Sequence, residues 1–283
     1  MKWRLIVNEK IFNPNTFLVM KRLFIAAMCA LGLTACNSGD DKALVLYYSH
    51  TGTTEQVAMQ LQQMVGADIE AIEVENPYTG SYNDVVMRAG EERRSGNLPK
   101  INPLKADLSK YDTIYLGYPI WYGTYAVPIL SLLEEYDFAG KKVVTFCTFG
   151  SGGLEAAISD LKKALPKAEV AERGFGIRAA RVANTAKELN RFLVENGYVE
   201  GYVEALVGFS EMQPVTEEER AIFDAACSDY QFPLGTPVLA GRRGTPDGVD
   251  FIYQVDSNGA FCTIYVTIAN TPDAKPEFTR VVR

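Results

Sequence analysis

The chain has 283 residues, of which 47% are apolar and 22% charged, and its formal net charge is −7. This composition is typical of globular proteins and excludes a long disordered or fibrous chain. The acidic balance argues against a nucleic-acid partner, because a protein that neutralises phosphates needs a basic face.

The first predicted element is an apolar run at 23–33, which follows Lys21 and Arg22. This run is shorter than the about 17–25 residues that a bilayer-spanning helix needs. A basic segment, a short apolar core and small residues after it are typical of a secretory signal. We therefore expect residues 1–35 to be a cleaved signal peptide. Met20 would start a signal of ordinary length, which makes residues 1–19 an upstream-start artefact. The alternative is a buried N-terminal helix.

The sequence Leu33-Thr34-Ala35-Cys36 resembles the lipobox of bacterial lipoproteins. The resemblance implies that Cys36 is lipidated and becomes the first residue of an exported, membrane-anchored protein, on the periplasmic or outer-surface side. Residues 36–42 would then be a polar tether. Without residues 1–35, which carry a net charge of +4, the mature chain would carry −11. Acyl chains, and not attraction to anionic headgroups, would hold so acidic a protein at a membrane.

Few side chains in the chain are typical metal ligands. The mature part would retain Cys147, Cys227 and Cys262 besides Cys36, and His50 is the single histidine of the whole sequence. Because there is no Cys-x-x-Cys pair, we expect no metal site. A Cys227–Cys262 disulfide and buried thiols are both compatible with an exported protein.

Residues 43–200 alternate between predicted strands and helices. Continuous apolar runs predict strands at 43–48, 69–74, 113–117, 142–147 and 168–173. Amphipathic periodicity predicts helices at 54–65, 83–94, 126–135, 154–165 and 186–196. This order indicates an α/β domain with a doubly wound, five-stranded parallel sheet. The sequence Gly174–Ala179 fits a dinucleotide-binding fingerprint, but it follows the last strand, and we interpret it as a loop.

The pattern changes in residues 205–283. Thr216 and Glu219 form a capping box that predicts a helix to about residue 230. Runs of alternating apolar residues at 249–255 and 262–268 predict strands without helices between them, and Asn258-Gly259 is a strong hairpin signal. Residues 205–283 are therefore predicted to be a small α+β domain.

Three loops of the first domain follow its first, third and fourth strands, and the carboxyl ends of parallel strands meet at one edge of a sheet. The first loop is Ser49, His50, Thr51, Gly52, Thr53 and Thr54. The second loop is Pro119, Ile120, Trp121, Tyr122 and Gly123. The third loop is Phe149, Gly150, Ser151, Gly152 and Gly153.

The three loops have complementary chemistry. The first is rich in hydroxyl groups at a helix start and lacks Lys and Arg, which suits a monophosphate bound by hydrogen bonds without a metal. The second supplies aromatic faces, and the third supplies a backbone that a flat ring can approach closely. Alone, the first loop is equally compatible with an N-terminal helix cap that binds no ligand. Together, the loops predict a site for a flat, phosphorylated cofactor.

With these loops, residues 43–198 resemble the flavodoxins, and specifically a subgroup with a Pro-Ile-Trp-x-Gly loop. The resemblance implies a flavodoxin-like fold that binds FMN through the three loops, in which Phe149 stands where the family usually has a small residue. It also implies electron transfer, with a redox partner protein, or NAD(P)H-dependent reduction of a quinone-like substrate. No catalytic residue follows from it.

Residues 205–283 have a weaker resemblance, to the cystatins. It rests on Gly208-Phe209-Ser210-Glu211 before the capped helix and on Pro237-Val238-Leu239-Ala240-Gly241 after it. In cystatins the second segment is a Gln-x-Val-x-Gly hairpin, whose glutamine is replaced here by Pro237. The resemblance implies an alternative function, as an inhibitor of cysteine proteases that acts through this domain. A further alternative is a cofactor-free binding module, in which the flavodoxin scaffold holds no cofactor. The favoured interpretation of residues 205–283 is a cystatin-like fold that serves for contacts or covers the flavodoxin domain.

Overall fold

The computed structural model describes residues 42–282. The predicted signal peptide, the lipidation site Cys36 and all but the last residue of the tether lie outside the described residues. Within residues 42–282, no helix is both long and apolar enough to cross a membrane.

The N-terminal half of the described chain is built from one sheet and five α-helices. The strands are β1 (Ala43–Tyr47), β2 (Asp68–Ala71), β3 (Thr113–Trp121), β4 (Thr124–Tyr125), β5 (Lys142–Phe149), β6 (Glu169–Val170) and β7 (Phe175–Arg178). The helices are α1 (Thr53–Val65), α2 (Tyr82–Ser95), α3 (Val127–Glu135), α4 (Leu154–Ala164) and α5 (Thr185–Glu195). Short 3-10 helices lie at Leu108–Lys110 and Ala179–Asn184.

The sheet has the order β2-β1-β3-β5-β6, and β7 also pairs with β5. All these pairs are parallel, and only the short β4 runs antiparallel to β3. The chain leaves β1 for one edge and returns to β3 on its other side, which creates a topological switch point between these two strands. The doubly wound parallel sheet predicted from the sequence is therefore confirmed.

The fifth parallel position is where the sequence-based prediction is wrong. One strand was expected at 168–173 and a loop at Gly174–Ala179, but β6 and β7 share this position, one at each end of β5. Two glycines permit the close packing of β7. A Cβ on Gly174 would lie 2.3 Å from Oγ1 of Thr145, and one on Gly176 would lie 2.9 Å from the ring of Phe149. These glycines therefore serve packing within the sheet.

Helices cover both faces of this sheet. On one face, buried residues of α2, α3 and α4 join side chains of β1, β3 and β5 in one apolar cluster. On the other face, α1 and α5 contribute Val57, Leu61, Leu189 and Leu193 to a second cluster. The sheet is buried on both sides, which explains why its strands are continuous apolar runs in the sequence.

The C-terminal part of the chain, residues 205–282, is called here the C-terminal domain. Its elements are β8 (Gln213–Pro214), α6 (Glu217–Cys227), β9 (Thr236–Thr245), β10 (Gly248–Ser257), β11 (Ala260–Ala269) and β12 (Glu277–Val282). The five strands form an antiparallel sheet in the order β12-β11-β10-β9-β8. Ile222 and Phe223 of α6 pack on this sheet in a separate apolar cluster. The predicted α+β fold is confirmed.

Local signals placed the C-terminal helix and one hairpin correctly. The capping box is formed, since Thr216 Oγ1 accepts from the Glu219 N–H and the Glu219 carboxylate accepts from the Thr216 N–H. The helix ends at Cys227, three residues earlier than predicted. Asn258 and Gly259 form the turn between β10 and β11 with φ angles of 56° and 86°.

The cystatin resemblance implied a hairpin at Pro237–Gly241, and the structure contradicts this. The segment lies inside β9, where Ala240 pairs with Tyr253 of β10 on one side and with Gln213 of β8 on the other. The turn between β9 and β10 comes later in the chain, between Thr245 and Gly248. Because the segment is paired along both edges, it is not available as a projecting inhibitory loop.

The cysteines in residues 42–282 form no disulfide. Cys147 is completely buried, and burial raises the pKa of its thiol. Burial, with a smaller effect of Asp224, raises the pKa of Cys227 to about 12. Cys262 contacts the Leu234 carbonyl oxygen through its sulfur at 3.9 Å. In the same part of the chain, no group of three His, Cys, Asp or Glu side chains is arranged to hold a metal ion.

Candidate functional site

The three loops singled out in the sequence lie at the ends of β1, β3 and β5, which are neighbours in the sheet. Pro119, Ile120 and Trp121, which were predicted as loop residues, extend β3, and Phe149 is the last residue of β5. Tyr47 at the end of β1 is in register with Gly117 of β3, and Pro119 of β3 is in register with Thr148 of β5. The loops therefore emerge side by side at the carboxyl edge, where open α/β sheets bind ligands. The sheet order brings all three together, as expected.

The first loop ends at the N-terminus of α1. Gly52 is the N-cap residue with a left-handed φ of 82°, and it provides no side-chain cap. The first N–H groups of a helix have no partner within the helix and carry partial positive charge. Ser49 Oγ accepts the N–H of Glu55 at 3.3 Å, so the loop folds back over the start of the helix. An anion seated there would meet unused main-chain donors.

Hydroxyl groups extend this donor set across to β5. Thr54 Oγ1 lies 2.8 Å from Thr148 Oγ1 in the interior, and Thr53 Oγ1 lies 3.5 Å from the same atom. Thr51 Oγ1 lies 3.3 Å from Thr53 Oγ1 near the surface. Sequence reasoning did not assign Thr148, although it directly precedes the third loop. The hydroxyl groups connect the first loop to the strand that carries the third.

The second loop is the tip of a β-hairpin. Trp121 of β3 pairs with Thr124 of β4, so Tyr122 and Gly123 form a two-residue turn with φ angles of 55° and 78°. These angles are typical of a type I′ turn, which a non-glycine residue such as Tyr122 adopts at some conformational cost. The Tyr122 hydroxyl donates to the carbonyl oxygen of Val86 in α2, which anchors the tip.

Trp121 is half-buried and surrounded by aromatic rings. Its ring makes edge contacts with Tyr48, His50 and Tyr78, at centroid distances of 5.8, 5.9 and 5.1 Å. Edge-to-face packing of this kind is favourable and restricts the orientation of each ring. The indole is thereby held next to the first loop, although only Trp121 and His50 of this cluster were predicted as site residues.

Polar groups of α2 hold the aromatic cluster from behind. The Tyr78 hydroxyl donates to the carboxylate of Glu92, which also accepts from Arg88 Nε at 2.8 Å. The guanidinium of Arg88 lies 4.3 Å from the centre of the Tyr78 ring. Burial and then the Glu92 carboxylate raise the pKa of Tyr78, and burial raises that of Tyr48. Both phenols are therefore neutral hydrogen-bonding groups at physiological pH.

The third loop is closely packed at one end and open at the other. Phe149 is the last residue of β5, and its side chain is buried in the core. Gly153 is the N-cap of α4 with a φ of 115°, and a Cβ there would lie 2.7 Å from Ile120 Cγ2. A Cβ on Gly150 would meet no atom within 4 Å. The loop thus touches the second loop at one end and leaves open space at the other.

The C-terminal domain contacts the third loop directly, a relationship that the sequence did not indicate. The N–H of Val281 in β12 donates to the carbonyl of Ser151 at 2.7 Å. Arg178, at the end of β7, donates from Nε to the carbonyl of Gly150 at 3.1 Å and from Nη1 to that of Phe278 at 3.2 Å. The C-terminal domain is therefore a structural part of the site.

Two cavities adjoin the hairpin tip. One, of about 660 Å³, lies between the second and third loops and the C-terminal domain. The other, of about 500 Å³, lies between the first loop, the hairpin tip and α2. The predicted residues that line the larger cavity are Ile120, Tyr122, Gly123, Gly150, Ser151, Gly152 and Gly153. Those that line the smaller one are His50, Thr51, Ile120, Trp121 and Tyr122.

Comparison with protein-family models matches residues 42–191, more than half of the chain, with the family described as Flavodoxin. The chain belongs to the flavodoxin family. The match ends within α5, so the C-terminal domain lies outside it. Membership was predicted from the three loops, and it accounts for the strand order and for their position. Comparison with curated proteins finds no match for the chain.

Several solved structures are similar to this flavodoxin. A Bacteroides eggerthii protein described as a flavoprotein is 30% identical, with a TM-score of 0.49, and the match covers 57% of this chain and all of that one. A second, from Bacteroides uniformis, is also 30% identical, with a TM-score of 0.48 and coverages of 53% and 98%. A Lactobacillus acidophilus flavoprotein in complex with FMN is 24% identical, with a TM-score of 0.43 and coverages of 52% and 99%.

The flavodoxin family implies FMN as the cofactor, and the residues present fit this group. The start of α1, where the N–H groups of Thr53 and Thr54 lack a side-chain cap, and the adjacent hydroxyl groups suit a phosphate monoester. Trp121 offers a partly exposed aromatic surface beside them. The open space at Gly150, which a Cβ would partly fill, lets the ring approach the main chain. All three observations lie at the carboxyl edge of the same sheet.

Proposed function

We propose that this flavodoxin is an exported, lipid-anchored redox protein that uses FMN. The convergence of the three loops at one sheet edge carries the proposal, because each loop supplies a different part of the chemistry that FMN requires. The first loop binds the phosphate, the second packs against the ring, and the third presents its main chain to the ring edge.

Binding of the phosphate follows from the start of α1. The main-chain N–H groups of Thr53 and Thr54 and the hydroxyl groups of Thr51 and Thr53 would donate to its oxygens. Because the loop contains no Lys or Arg, the negative charge would be balanced by the helix dipole and by hydrogen bonds. The hydroxyl group of Thr148 in β5, which lies against those of Thr53 and Thr54, would keep these two hydroxyl groups oriented.

Bound FMN would supply the redox chemistry, as a group that accepts and releases one or two electrons. The chain's own residues would set its environment. Trp121, held by Tyr48 and Tyr78, would exclude water from one side of the ring. The main chain of Gly150 and Ser151 would offer hydrogen-bonding groups to the ring edge. The three loops contain no Lys or Arg, and the guanidinium that lies against the third loop is that of Arg178, which donates to the carbonyl groups of Gly150 and Phe278.

Titration of the purified protein, residues 37–283, with FMN tests this proposal. We expect quenching of flavin fluorescence and a shifted flavin absorbance band, with saturation at micromolar FMN. Riboflavin, which lacks the phosphate, is the matched control ligand and should bind more weakly, because the first loop would have no anion to bind. Absence of FMN binding by protein that is folded by circular dichroism would refute the proposal.

Export and lipid anchoring rest on the sequence before residue 42. The basic residues Lys21 and Arg22, the apolar run at 23–33 and the lipobox ending at Cys36 support them. Replacement of Cys36 by Ser, which cannot form the thioether, should move the protein from the membrane fraction to the soluble fraction of the expressing bacterium. A variant that still incorporates labelled fatty acid would contradict the assignment.

The proposal includes two roles, an electron carrier and an NAD(P)H-dependent reductase of quinone-like molecules. They are distinguished by whether NADH or NADPH reduces the bound FMN directly under anaerobic conditions. For the C-terminal domain we propose a cystatin-like fold used for contacts, which is supported by one helix packed on an antiparallel sheet. The position of Pro237–Gly241 inside β9 argues against protease inhibition.

A further inference from the structure

Two carbonyl groups of the third loop are held by donors that lie outside the three loops. Arg178 Nε donates to the carbonyl of Gly150 at 3.1 Å, and the N–H of Val281 in β12 donates to the carbonyl of Ser151 at 2.7 Å. A trans peptide group directs its C=O and its N–H to opposite sides. The N–H groups of Ser151 and Gly152, which belong to these two peptide groups, therefore point away from the two donors.

The N–H groups of Ser151 and Gly152 are unused donors. Within residues 42–282, neither of them donates a hydrogen bond to another group of the chain. Both residues line the larger of the two cavities, where the flavin ring would meet the third loop. Because main-chain N–H groups in folded proteins are nearly always paired with protein, water or ligand, these two are available to acceptor atoms at the edge of the ring.

Arg178 is fixed against the third loop by contacts with the C-terminal domain. Its guanidinium also donates from Nη1 to the carbonyl of Phe278 at 3.2 Å and lies 4.9 Å from the centre of the Phe278 ring. The residue is half-buried at the end of β7, so solvent screens its charge less than that of an exposed arginine. A charged donor polarises the peptide group that it binds, which strengthens the N–H on the far side of that group.

Two carboxylates line the same cavity. Glu155 of α4 is paired with Arg280 at 3.2 Å, and Asp229 follows α6 in the C-terminal domain. In the part of the chain that the structure describes, neither carboxylate is hydrogen-bonded to the third loop, whereas Arg178 is. Arg178 is therefore the charged residue of this lining that acts directly on the main chain of the third loop.

We propose that Arg178 is a positioning residue that raises the reduction potential of bound FMN, an inference that rests on the function proposed above. A flavin ring that takes up two electrons and one proton gains one negative charge. Donors at its edge bind this form more tightly than the oxidised, uncharged ring. Through the Gly150 carbonyl, the charge of Arg178 would strengthen the N–H of Ser151 as such a donor. The C-terminal domain, which holds Arg178 through Phe278, would thereby help to set the potential.

Anaerobic reduction of the FMN-loaded protein, residues 37–283, with dithionite and a reference dye measures this potential. Arg178→Gln removes the charge, and we expect the affinity for reduced relative to oxidised FMN to fall about tenfold, which lowers the two-electron potential by about 30 mV. Arg178→Lys loses the forked hydrogen bonds but keeps a charge, and the same ratio should fall less than about threefold. Arg173→Gln is the matched control, because Arg173 is exposed and precedes β7, and it should keep the wild-type potential.

An unchanged potential in Arg178→Gln overturns this inference alone, whereas failure of the wild-type protein to bind FMN overturns the proposed function as well. Equal decreases in Arg178→Lys and Arg178→Gln also overturn the inference, because the contacts and not the charge would then determine the potential. If Arg178→Gln does not fold, nuclear magnetic resonance of the wild-type protein provides a second test. The resonances of the Ser151 amide and of the Arg178 Nε–H should both move when bound FMN is reduced, and a resonance that stays in place overturns the inference.

Discussion

The main-chain N–H of Val281 donates a 2.7 Å hydrogen bond to the main-chain carbonyl of Ser151. This bond joins the last strand of the chain to the third loop at the carboxyl edge of the parallel sheet. The contact is so close that a Cβ on the neighbouring Gly152 would lie 2.4 Å from the Val281 carbonyl oxygen. The shape of the third loop therefore depends on the C-terminal domain.

Gly152 and Gly150 provide a matched pair of substitutions for this contact. Gly152→Ala places a methyl group against main-chain atoms, and we expect it to lower the free energy of unfolding by about 1–3 kcal/mol. Gly150→Ala meets no atom within 4 Å and should leave the free energy of unfolding within about 0.5 kcal/mol of wild type. Urea denaturation measures both values, and equal stability of the two variants would contradict the observed packing.

Gly150→Ala, the variant with unchanged stability, should nevertheless be impaired in FMN binding. The methyl group of Gly150→Ala would enter the open space that we assign to the flavin ring, so FMN affinity should fall although stability does not. Fluorescence titration measures this effect. Wild-type affinity in Gly150→Ala would show that the ring does not approach the third loop at this residue.

Trp121 is predicted to contribute a large part of the contact with the flavin ring. Trp121→Ala removes the indole that Tyr48 and Tyr78 hold in place, and FMN binding should weaken by about 1–3 kcal/mol, the cost of losing one stacked aromatic ring. Trp121→Phe retains an aromatic face and should lose less. Equal FMN affinity of the wild-type protein and Trp121→Ala in fluorescence titrations would mean that the ring binds elsewhere.

Arg178 is predicted to couple the third loop to the C-terminal domain, because it donates to carbonyl groups in both. Arg178→Lys retains the charge but cannot reproduce two separate guanidinium hydrogen bonds, and should destabilise the protein by about 1 kcal/mol. Arg173→Lys, at an exposed position before β7, is the control and should have no effect. Increased proteolysis within residues 205–282 only in Arg178→Lys would support the coupling; equal proteolysis of both variants would argue against it.

Stability at alkaline pH should depend on Tyr115. Burial, with a smaller effect of Tyr198, raises the pKa of Tyr115 to about 12 in the folded protein. The unfolded chain loses this proton near pH 10. The contribution of the buried Tyr115 phenol to the free energy of unfolding is therefore fully present below about pH 10 and is lost as the pH rises to about 12. Tyr115→Phe lacks the titrating group and should lose stability less steeply across this interval.

The measurement is the urea midpoint as a function of pH for both proteins. Tyr202→Phe serves as the control, because Tyr202 is 88% exposed and folding leaves its surroundings nearly unchanged. Parallel curves for the wild-type protein and Tyr115→Phe would show that Tyr115 is not buried as described.

Local patterns predicted more of the fold than of the site. The helix over 83–94 and the capping box at Thr216 were correct because amphipathic periodicity and capping depend on near neighbours in the chain. The fifth strand was misassigned because Gly174 and Gly176 are unfavourable for a strand by local criteria. Glycine is nevertheless suitable at both positions of this strand, because a side chain there would collide with Thr145 or Phe149 of β5. Only the packed sheet brings these residues together.

Within the site, the sequence identified the three loops but not what surrounds them. Tyr78 and Glu92 hold Trp121 in place, yet they lie in a polar segment that has no recognisable motif. The hairpin at Tyr122 also lacked a signal, because a tyrosine with a positive φ is unusual. The Tyr122 hydroxyl donates a hydrogen bond to the carbonyl of Val86, and this tertiary contact accompanies the unusual conformation.

The sequence by itself determined that this protein is a flavodoxin with a second, α+β domain, and that its cofactor loops lie at one sheet edge. The two fold classes and the position of the loops follow from strand and helix periodicity, which is local, whereas the flavodoxin family was indicated by the resemblance of the three loops. Only the tertiary structure decided that β12 binds the third loop and that Phe232 of the C-terminal domain and Tyr122 of the hairpin tip line the same cavity. Such contacts join residues far apart in the chain, and they depend on how complete surfaces pack together.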